Sequence, residues 1–163
     1  MAKDGTGDVS SLAEALARVP ADNKDWVTIF LKKGIYEERA EITAPYLILE
    51  GEDARNTVIT GGLYARMEME DGMKRGTFRT YTVLIDTHDV TVRGLTIENT
   101  AGFGKDVGQA VALYADGDRL LFEDCRLLAN QDTLFTGPLP PKEIEKNGFI
   151  GPKQYAPRIN GRQ

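Results

Sequence analysis

Short apolar runs alternate with turn residues along most of this chain, and their spacing favours β-strands over helices. Strand-like runs bounded by Gly, Asp or Asn are predicted at 27–31, 46–49, 57–60, 82–85, 90–97, 110–113, 119–128 and 133–136. A helical pattern is confined to residues 11–19. There, Ser11 and Glu14 have the spacing of a capping box, and Leu12 and Leu16 share one face.

One apolar pattern occurs twice in the strand-rich region, thirty residues apart. The two copies are Val90-x-Val92-x-x-Leu95-x-Ile97 and Leu120-x-Phe122-x-x-Cys125-x-Leu127. Such a repeat is typical of stacked, equivalent coils. We therefore predict an all-β fold, a right-handed parallel β-helix with a short N-terminal capping helix. A sandwich of hairpins is the alternative, but it would need more two-residue turns than Asp71-Gly72 and Asp116-Gly117 supply.

The pattern predicts a single domain over residues 1–163. Residues 1–25 form an N-terminal cap, 26–136 form the coils with an excursion loop at 64–77, and the proline-rich stretch 137–163 forms a long loop. A solenoid needs a cap at each end. Because only the first cap is visible, we expect a β-helix that is C-terminally incomplete, with self-association through its uncapped last coil.

Composition excludes several classes of partner. The net charge is −5 and the 20 Lys and Arg residues are scattered, which argues against a nucleic-acid surface. No apolar stretch approaches the roughly 18 residues of a membrane span, and the N-terminus lacks a signal-peptide pattern. The sequence as written predicts a cytoplasmic protein, or an extracellular one if its N-terminus was trimmed. The single Cys125 excludes an internal disulfide.

Two polar clusters, each followed by a strand-like run, carry the candidate chemistry. Gln109 opens the first, and Gln131 and Asp132 lie in the second. Gln109 and Asp132 are twenty-three positions apart, close to one coil, so we expect them side by side on neighbouring coils about 4.8 Å apart. An amide donor beside a carboxylate suits acyl chemistry, because one group can stabilise an oxyanion while the other moves protons.

Other polar residues are weaker candidates for a site. The pairs Asp86/Asp89 and Asp116/Asp118 lack the clustered spacing of a calcium site, so we predict solvated turns there. His88 lies in one of these turns and is expected to have no catalytic role. No metal or cofactor is predicted.

Several short motifs, taken in order, resemble the pectin methylesterases (pectinesterases, carbohydrate esterase family 8). The matching stretches are Lys3-Asp4-Gly5-Thr6-Gly7-Asp8, Gly34-Ile35-Tyr36-Glu37-Glu38, Asn99-Thr100-Ala101-Gly102, Gln109-Ala110-Val111-Ala112-Leu113 and Gln131-Asp132-Thr133-Leu134-Phe135. The resemblance implies a right-handed parallel β-helix and the hydrolysis of methyl esters of polygalacturonate. The implied partner is methyl-esterified pectin or an oligogalacturonide.

The resemblance also implies roles for individual residues. Asp132 would be the general acid/base, Gln109 an oxyanion donor, and Gln131 a residue that positions the ester. Phe103 and Phe135 flank this proposed cleft and could stack on sugar rings, although ordinary packing explains them equally well. Tyr36 and Glu38, in the second motif, are expected to stabilise the fold.

Two motifs of the family do not occur in these 163 residues. The nucleophilic aspartate of D-F-I-F-G and the arginine of L-G-R-P-W are missing, although Asn160-Gly161-Arg162-Gln163 resembles the approach to the first. We therefore expect this chain alone to be inactive or nearly so. The alternative function is a non-catalytic carbohydrate-binding or scaffold solenoid. A lyase or glycosidase is less favoured, because only one strong carboxylate candidate is present.

Overall fold

A computed structural model describes residues 1–137 of the chain. Two helices, α1 (Leu12–Ala17) and α2 (Gly104–Val107), and a 3-10 turn (Thr77–Arg79) accompany twelve strands in this part of the chain. The strands are β1 (Val27–Leu31), β2 (Gly34–Glu37), β3 (Ala40–Ile42), β4 (Leu47–Gly51), β5 (Thr57–Gly61), β6 (Val83–Ile85), β7 (His88–Arg93), β8 (Thr96–Asn99), β9 (Leu113–Ala115), β10 (Asp118–Glu123), β11 (Arg126–Leu128) and β12 (Leu134–Thr136). No helix in this range is long and apolar enough to cross a membrane.

Every third strand joins the same sheet, and all strand pairs are parallel. The first sheet has the order β1-β4-β7-β10, the second β2-β5-β8-β11, and the third β3-β6-β9-β12. Each coil therefore contributes one strand to each of three walls, which confirms the predicted parallel β-helix.

Rows of inward-facing side chains fill the space between the walls. In the first sheet, one row stacks Ile29, Leu49, Val92 and Phe122 on successive coils. Ile29, Leu49 and Val92 are buried, and Phe122 packs against them from the last described coil. Burying a side chain of this size contributes about 1.5–3 kcal/mol relative to exposing it. These rows hold the coils in register.

The thirty-residue repeat is confirmed by the strand pairing. Val90 pairs with Leu120, and Ile97 pairs with Leu127. Each of the two long predicted strands is divided into two by a corner. Gly94 (φ 64°) and Asp124 (φ 48°) lie at these corners in the left-handed conformation, which turns the chain from one wall to the next.

The sequence-based assignment of strands was incomplete in the first coil and wrong at one later position. It missed β2 and β3, which are short and carry polar residues such as Glu37. The strand predicted at 110–113 instead begins at Leu113. The predicted loop 64–77 contains an isolated antiparallel bridge between Glu68 and Lys74. The loop predicted at 137–163 lies outside the described residues, apart from Gly137.

The N-terminal helix caps the first coil, with only half of the predicted capping box. The Ser11 hydroxyl accepts the Glu14 N–H at 3.1 Å, but the Glu14 carboxylate pairs with Arg18 at 2.9 Å. Glu38 does part of the capping instead, since its Oε2 accepts the N–H groups of Leu12 and Ala13 at 2.8 and 3.2 Å. Glu38 therefore has a structural role, as predicted, and the structure shows what it is: its carboxylate holds the start of α1 against the first coil.

Tyr36, in the same motif as Glu38, also stabilises the first coil. Its ring is fully buried in the core, and its hydroxyl donates to the Lys32 carbonyl at 2.6 Å. Burial raises the pKa of this phenol. Both residues of the motif therefore act within the fold, as predicted.

Two of the four aspartates that were predicted to lie in solvated turns are buried, which corrects the prediction for those two. Asp86 and Asp116 are only 4% and 3% exposed. They follow the paired residues Ile85 and Ala115, so one lies over the other on neighbouring coils. Among residues 1–137, no group of three or more His, Cys, Asp or Glu side chains could hold a metal ion.

His88 and Asp89 begin the first-sheet strand of one coil and contact Arg119 on the next. The Asp89 carboxylate accepts from Arg119 Nε at 2.7 Å and from Nη2 at 2.5 Å, and lies 2.5 Å from His88 Nδ1. His88 also packs edge-on against Tyr46 of the coil below, with 5.4 Å between ring centroids. Hydrogen bonds from Arg119, with His88 adding to them, lower the pKa of Asp89 to about 2.

We expect the Asp89 interaction to make stability depend on pH in the acid range. Asp89 stays charged in the folded chain down to about pH 2, whereas the unfolded carboxyl takes up a proton near its ordinary pKa of 3.8. Its contribution is therefore present above pH 4 and is lost as the pH falls towards 2. Asp89→Asn should lower the melting temperature at pH 7 and flatten its decline below pH 4, since Asn tolerates the left-handed backbone at this position. Thermal melts from pH 2 to 7 would show it, and parallel curves for both proteins would contradict it.

Candidate active site

The predicted site residues lie where two neighbouring coils enter the third sheet. Gln109 precedes β9, and Gln131 and Asp132 precede β12, which pairs with β9. The Ala110 N–H donates to the Gln131 carbonyl at 3.2 Å. The two polar clusters therefore lie on neighbouring coils and are joined by a backbone hydrogen bond.

A β-bulge at Val111 and Ala112 separates this junction from the regular ladder. The Thr82 N–H is shared between the carbonyls of Val111 and Ala112, at 3.2 and 3.1 Å. On the other side, the Thr133 carbonyl accepts from both Ala112 and Leu113, at 3.0 and 3.1 Å. Bulges of this kind occur often beside active sites, because they redirect side chains. Because of this bulge, β9 begins at Leu113 and not at residue 110, where the strand was predicted to start.

The bulge also changes which residues face each other. Leu113 is paired with Leu134, and its N–H bonds to the carbonyl of Thr133, the residue before its partner. In this parallel pair, each N–H bonds to the carbonyl of the residue that precedes the partner. The Ala110 N–H bonds to the Gln131 carbonyl, so the partner of Ala110 is Asp132. Gln109 therefore lies opposite Gln131, and Asp132 is one residue further along the neighbouring coil. The prediction that Gln109 and Asp132 lie directly side by side is thus wrong by one residue.

Asp132 combines solvent exposure with a sparsely populated backbone conformation. Its φ is 58°, in the left-handed region, and the residue is exposed. Ala110, which lies opposite it on the neighbouring coil, does not have a positive φ. Tyr46, Asp89, Arg119 and Asp124 have the same conformation, so it does not by itself indicate a function for Asp132.

Gln131 rests against the short helix α2. A Cβ built on Gly104, the first residue of that helix, would overlap the Gln131 side-chain oxygen. Phe103, which precedes the helix, is 68% exposed beside this contact. Helix α2 therefore forms one side of the site, with an exposed aromatic ring at its start.

The loop at residues 64–77 is hydrogen-bonded to the segment that contains Gln109 and α2. The Ala65 N–H donates to the Gln109 carbonyl at 2.8 Å, and Arg66 Nη1 donates to the Lys105 and Asp106 carbonyls at 2.6 and 3.2 Å. Sequence reasoning identified the loop but missed these contacts. No local signal could have found them, because Arg66 and Lys105 are thirty-nine residues apart.

Phe135 lies in an aromatic cluster on the outer face of the third sheet. Its ring packs edge-on against Phe78 and Tyr114, with 5.0 and 4.9 Å between centroids. Tyr81 and Tyr114 are buried in the same cluster, and burial raises the pKa of both, so they remain neutral phenols. The structure thus places Gln109, Gln131 and Asp132 on adjoining segments of neighbouring coils. Phe103 is exposed beside Gln131, and Phe135 is half-buried among other rings.

Comparison with known proteins identifies the family. The sequence profile of the family Pectinesterase matches residues 1–138. The chain belongs to the pectinesterase family. The Arabidopsis thaliana protein "Probable pectinesterase/pectinesterase inhibitor 23" is 37% identical to this pectinesterase-family chain over 137 residues, covering 83% of this chain and 23% of that protein.

Solved pectin methylesterases share its fold. Pectin methylesterase PemA from Erwinia chrysanthemi matches with a TM-score of 0.77 and 33% identity, over 83% of this chain and 44% of that one. A pectin methylesterase in complex with a hexasaccharide matches with a TM-score of 0.75 and 36% identity, over 82% and 43%. This pectinesterase-family chain spans about a quarter of the length of the Arabidopsis thaliana and Solanum lycopersicum relatives that it matches.

The contact between Gly104 and Gln131 leads to a prediction for this pectinesterase-family site. Gly104→Ala should displace the Gln131 side chain, because the added methyl group needs the space that the amide occupies. The side-chain amide signals of Gln131 in an ¹⁵N spectrum should shift. Gly62→Ala is the control, since the nearest atom to its added methyl group would be Thr100 Oγ1 at 3.9 Å. Unchanged Gln131 signals in Gly104→Ala would contradict this packing.

Proposed function

We propose that this chain takes part in hydrolysing the methyl esters of polygalacturonate, with water consumed and methanol and pectate released. The observation that carries the proposal is the junction of Gln109, Gln131 and Asp132 at a bulge between neighbouring coils. The similarity to pectin methylesterases, one solved with a hexasaccharide, supports a pectin or oligogalacturonide substrate.

Each of the three side chains suits one task in ester hydrolysis. Gln109 would donate its amide hydrogen to the carbonyl oxygen as that oxygen gains negative charge. Asp132, exposed at the start of β12, would protonate the departing methoxide and then take a proton from the attacking water. Gln131, held against Gly104, would orient the ester between them.

The proposal assigns the nucleophile to a residue outside these 163 amino acids. The family's D-F-I-F-G motif is not in this sequence. An acid/base and an oxyanion donor without a nucleophile would retain only residual catalysis. We therefore expect the chain alone to release little methanol from methylated pectin.

The test compares the chain with a longer protein that continues it with a segment carrying D-F-I-F-G and L-G-R-P-W. The longer protein should release methanol from highly methylated pectin, measured by gas chromatography. No methanol from a longer protein that folds, as shown by circular dichroism, would remove the proposal.

A carbohydrate-binding role without turnover is the second candidate, favoured by the exposed ring of Phe103 beside the site. It predicts that the 163-residue chain binds oligogalacturonides in calorimetry. Phe103→Ala would weaken that binding, whereas replacing Leu121, an exposed side chain on the first sheet, with Ala would not. Absence of any binding by the chain would count against this second function.

We also propose that the last described coil mediates self-association. Within residues 1–137, β10, β11 and β12 each pair with a single strand, and the inward side chains of Leu120, Phe122 and Leu127 are only partly buried. Strand edges and apolar rows of this kind favour association. Sedimentation should show a mass that rises with concentration, and a monomer at every concentration would contradict the proposal.

A further inference from the structure

The bulge beside the site removes the backbone groups of Val111 from the regular ladder. Its N–H does not reach a backbone carbonyl and instead donates to the Thr80 hydroxyl at 2.9 Å. Its carbonyl accepts from Thr82 N–H at 3.2 Å and also from Asn99 Nδ2 at 3.1 Å. One side chain therefore replaces a ladder hydrogen bond at the N–H, and a second adds to the backbone hydrogen bond at the carbonyl.

Both side chains are buried and are fixed by further bonds. Thr80 is fully buried, and its hydroxyl donates to the Thr77 carbonyl at 2.6 Å. Asn99 is 3% exposed, and its Nδ2 also approaches the carbonyls of Leu63 and Thr80, at 2.9 and 3.0 Å. Its Oδ1 accepts the Ala101 N–H at 3.0 Å. One carboxamide thus joins Leu63, the residue before the excursion loop, to Thr80 and to the bulge at Val111.

The bulge determines which residues of the site meet. If the Leu113–Leu134 register continued unchanged, Ala110 would lie opposite Gln131 and Val111 opposite Asp132. With the bulge, Ala110 lies opposite Asp132 instead. In a β-structure, a shift of one residue turns side chains to the other face. The alignment of Gln109 with the Gln131–Asp132 segment therefore depends on keeping the extra residue in place.

We infer that Thr80 and Asn99 are positioning residues, which hold the bulge and so fix Gln109 against Gln131 and Asp132. The effect on ester hydrolysis rests on the proposed function, whereas the support of the bulge does not. Neither residue touches the proposed substrate. They act through Val111: Thr80 provides the acceptor for its buried N–H, and Asn99 adds a second donor to its carbonyl beside the Thr82 N–H.

The first test measures the bulge itself in the ¹⁵N-labelled 163-residue chain. Thr80→Val keeps the side-chain volume and removes the hydroxyl. Hydrogen exchange at the Val111 amide should become roughly five- to ten-fold faster, and the signals of Gln109, Ala110 and Asp132 should shift. Asn99→Ala should shift the same signals by removing the second support.

A matched control separates this role from general loss of stability. Thr96 is equally buried, and its hydroxyl donates to the Ala54 carbonyl at 2.5 Å in the second sheet. Thr96→Val should lower the melting temperature comparably and leave the site signals unchanged. Thr80→Ser should restore the wild-type spectrum. Equal shifts in Thr96→Val, or no shift in Thr80→Val, would overturn the inference.

The second test uses the longer protein described under the proposed function. Thr80→Val should lower kcat about ten-fold or more with KM within about two-fold of wild type, and Thr80→Ser should recover most of it. A displaced bulge with unchanged kcat would overturn the positioning role. If the longer wild-type protein has no activity, the proposed function fails, whereas the spectra still decide whether Thr80 and Asn99 hold the bulge.

Discussion

Replacing Asp132 with asparagine will reduce methanol release by the longer protein by about 10²–10⁴-fold, the usual contribution of a general acid/base. Asparagine has nearly the same shape as aspartate and tolerates the left-handed backbone, φ 58°, found at this position. It cannot donate a proton to the leaving methoxide as a carboxylic acid does. The loss should fall on kcat, because ground-state binding of the sugar polymer does not require the proton.

The matched control for Asp132 is Asp124→Asn. Asp124 is also an exposed aspartate with a left-handed backbone, φ 48°, but it lies at the corner between the first and second sheets. Its replacement should leave methanol release unchanged. Retention of activity in Asp132→Asn, or an equal loss in Asp124→Asn, would show that Asp132 is not the acid/base.

The largest effect on stability is expected in the inward row of the first sheet. Leu49 is fully buried between Ile29 and Val92 of the neighbouring coils. Leu49→Ala removes apolar contacts on both sides and leaves a cavity, which typically lowers the free energy of unfolding by about 2–5 kcal/mol. Urea unfolding followed by circular dichroism would measure the change from the transition midpoint.

The neighbouring residue tests whether this loss depends on the face of the strand. Ile48 is only partly buried and lies on the outer face of the same strand. Ile48→Ala should lower the free energy of unfolding by about 1 kcal/mol or less. Similar losses for the two variants would contradict the inward and outward assignment.

The main features of this fold were predictable because each coil repeats the same inward positions. The pattern that begins at Val90 returns at Leu120 because both side chains fill the same row. Strand β2 was missed because Gly34–Glu37 has a glycine at its start and a charged residue at its end, and it owes its conformation to pairing with β5. Such pairing partners are not visible in a local pattern.

The sequence predicted that the candidate residues lie on neighbouring coils, but it did not predict their register. Gln109, Gln131 and Asp132 were found through polar residues before apolar runs and through the family motifs. The bulge was not found, because Val111 and Ala112 look like ordinary strand residues, and the supports of Val111 lie 31 and 12 residues away in sequence. The burial of Asp86 and Asp116 was missed for the same reason, since it depends on the coils above and below.

The spacing between paired strands varies widely without disturbing the walls. Val27 and Leu47 are 20 residues apart in the chain, Leu47 and Val90 are 43 apart, and Val90 and Leu120 are 30 apart, yet all pair in register. The additional residues therefore form loops at the corners between strands. Two of these, the loop at 64–77 and the segment that contains α2, lie beside Gln109 and Gln131. A protein engineer could lengthen or replace these loops to change the surface around Gln109 and Gln131, while the strands beneath keep their partners.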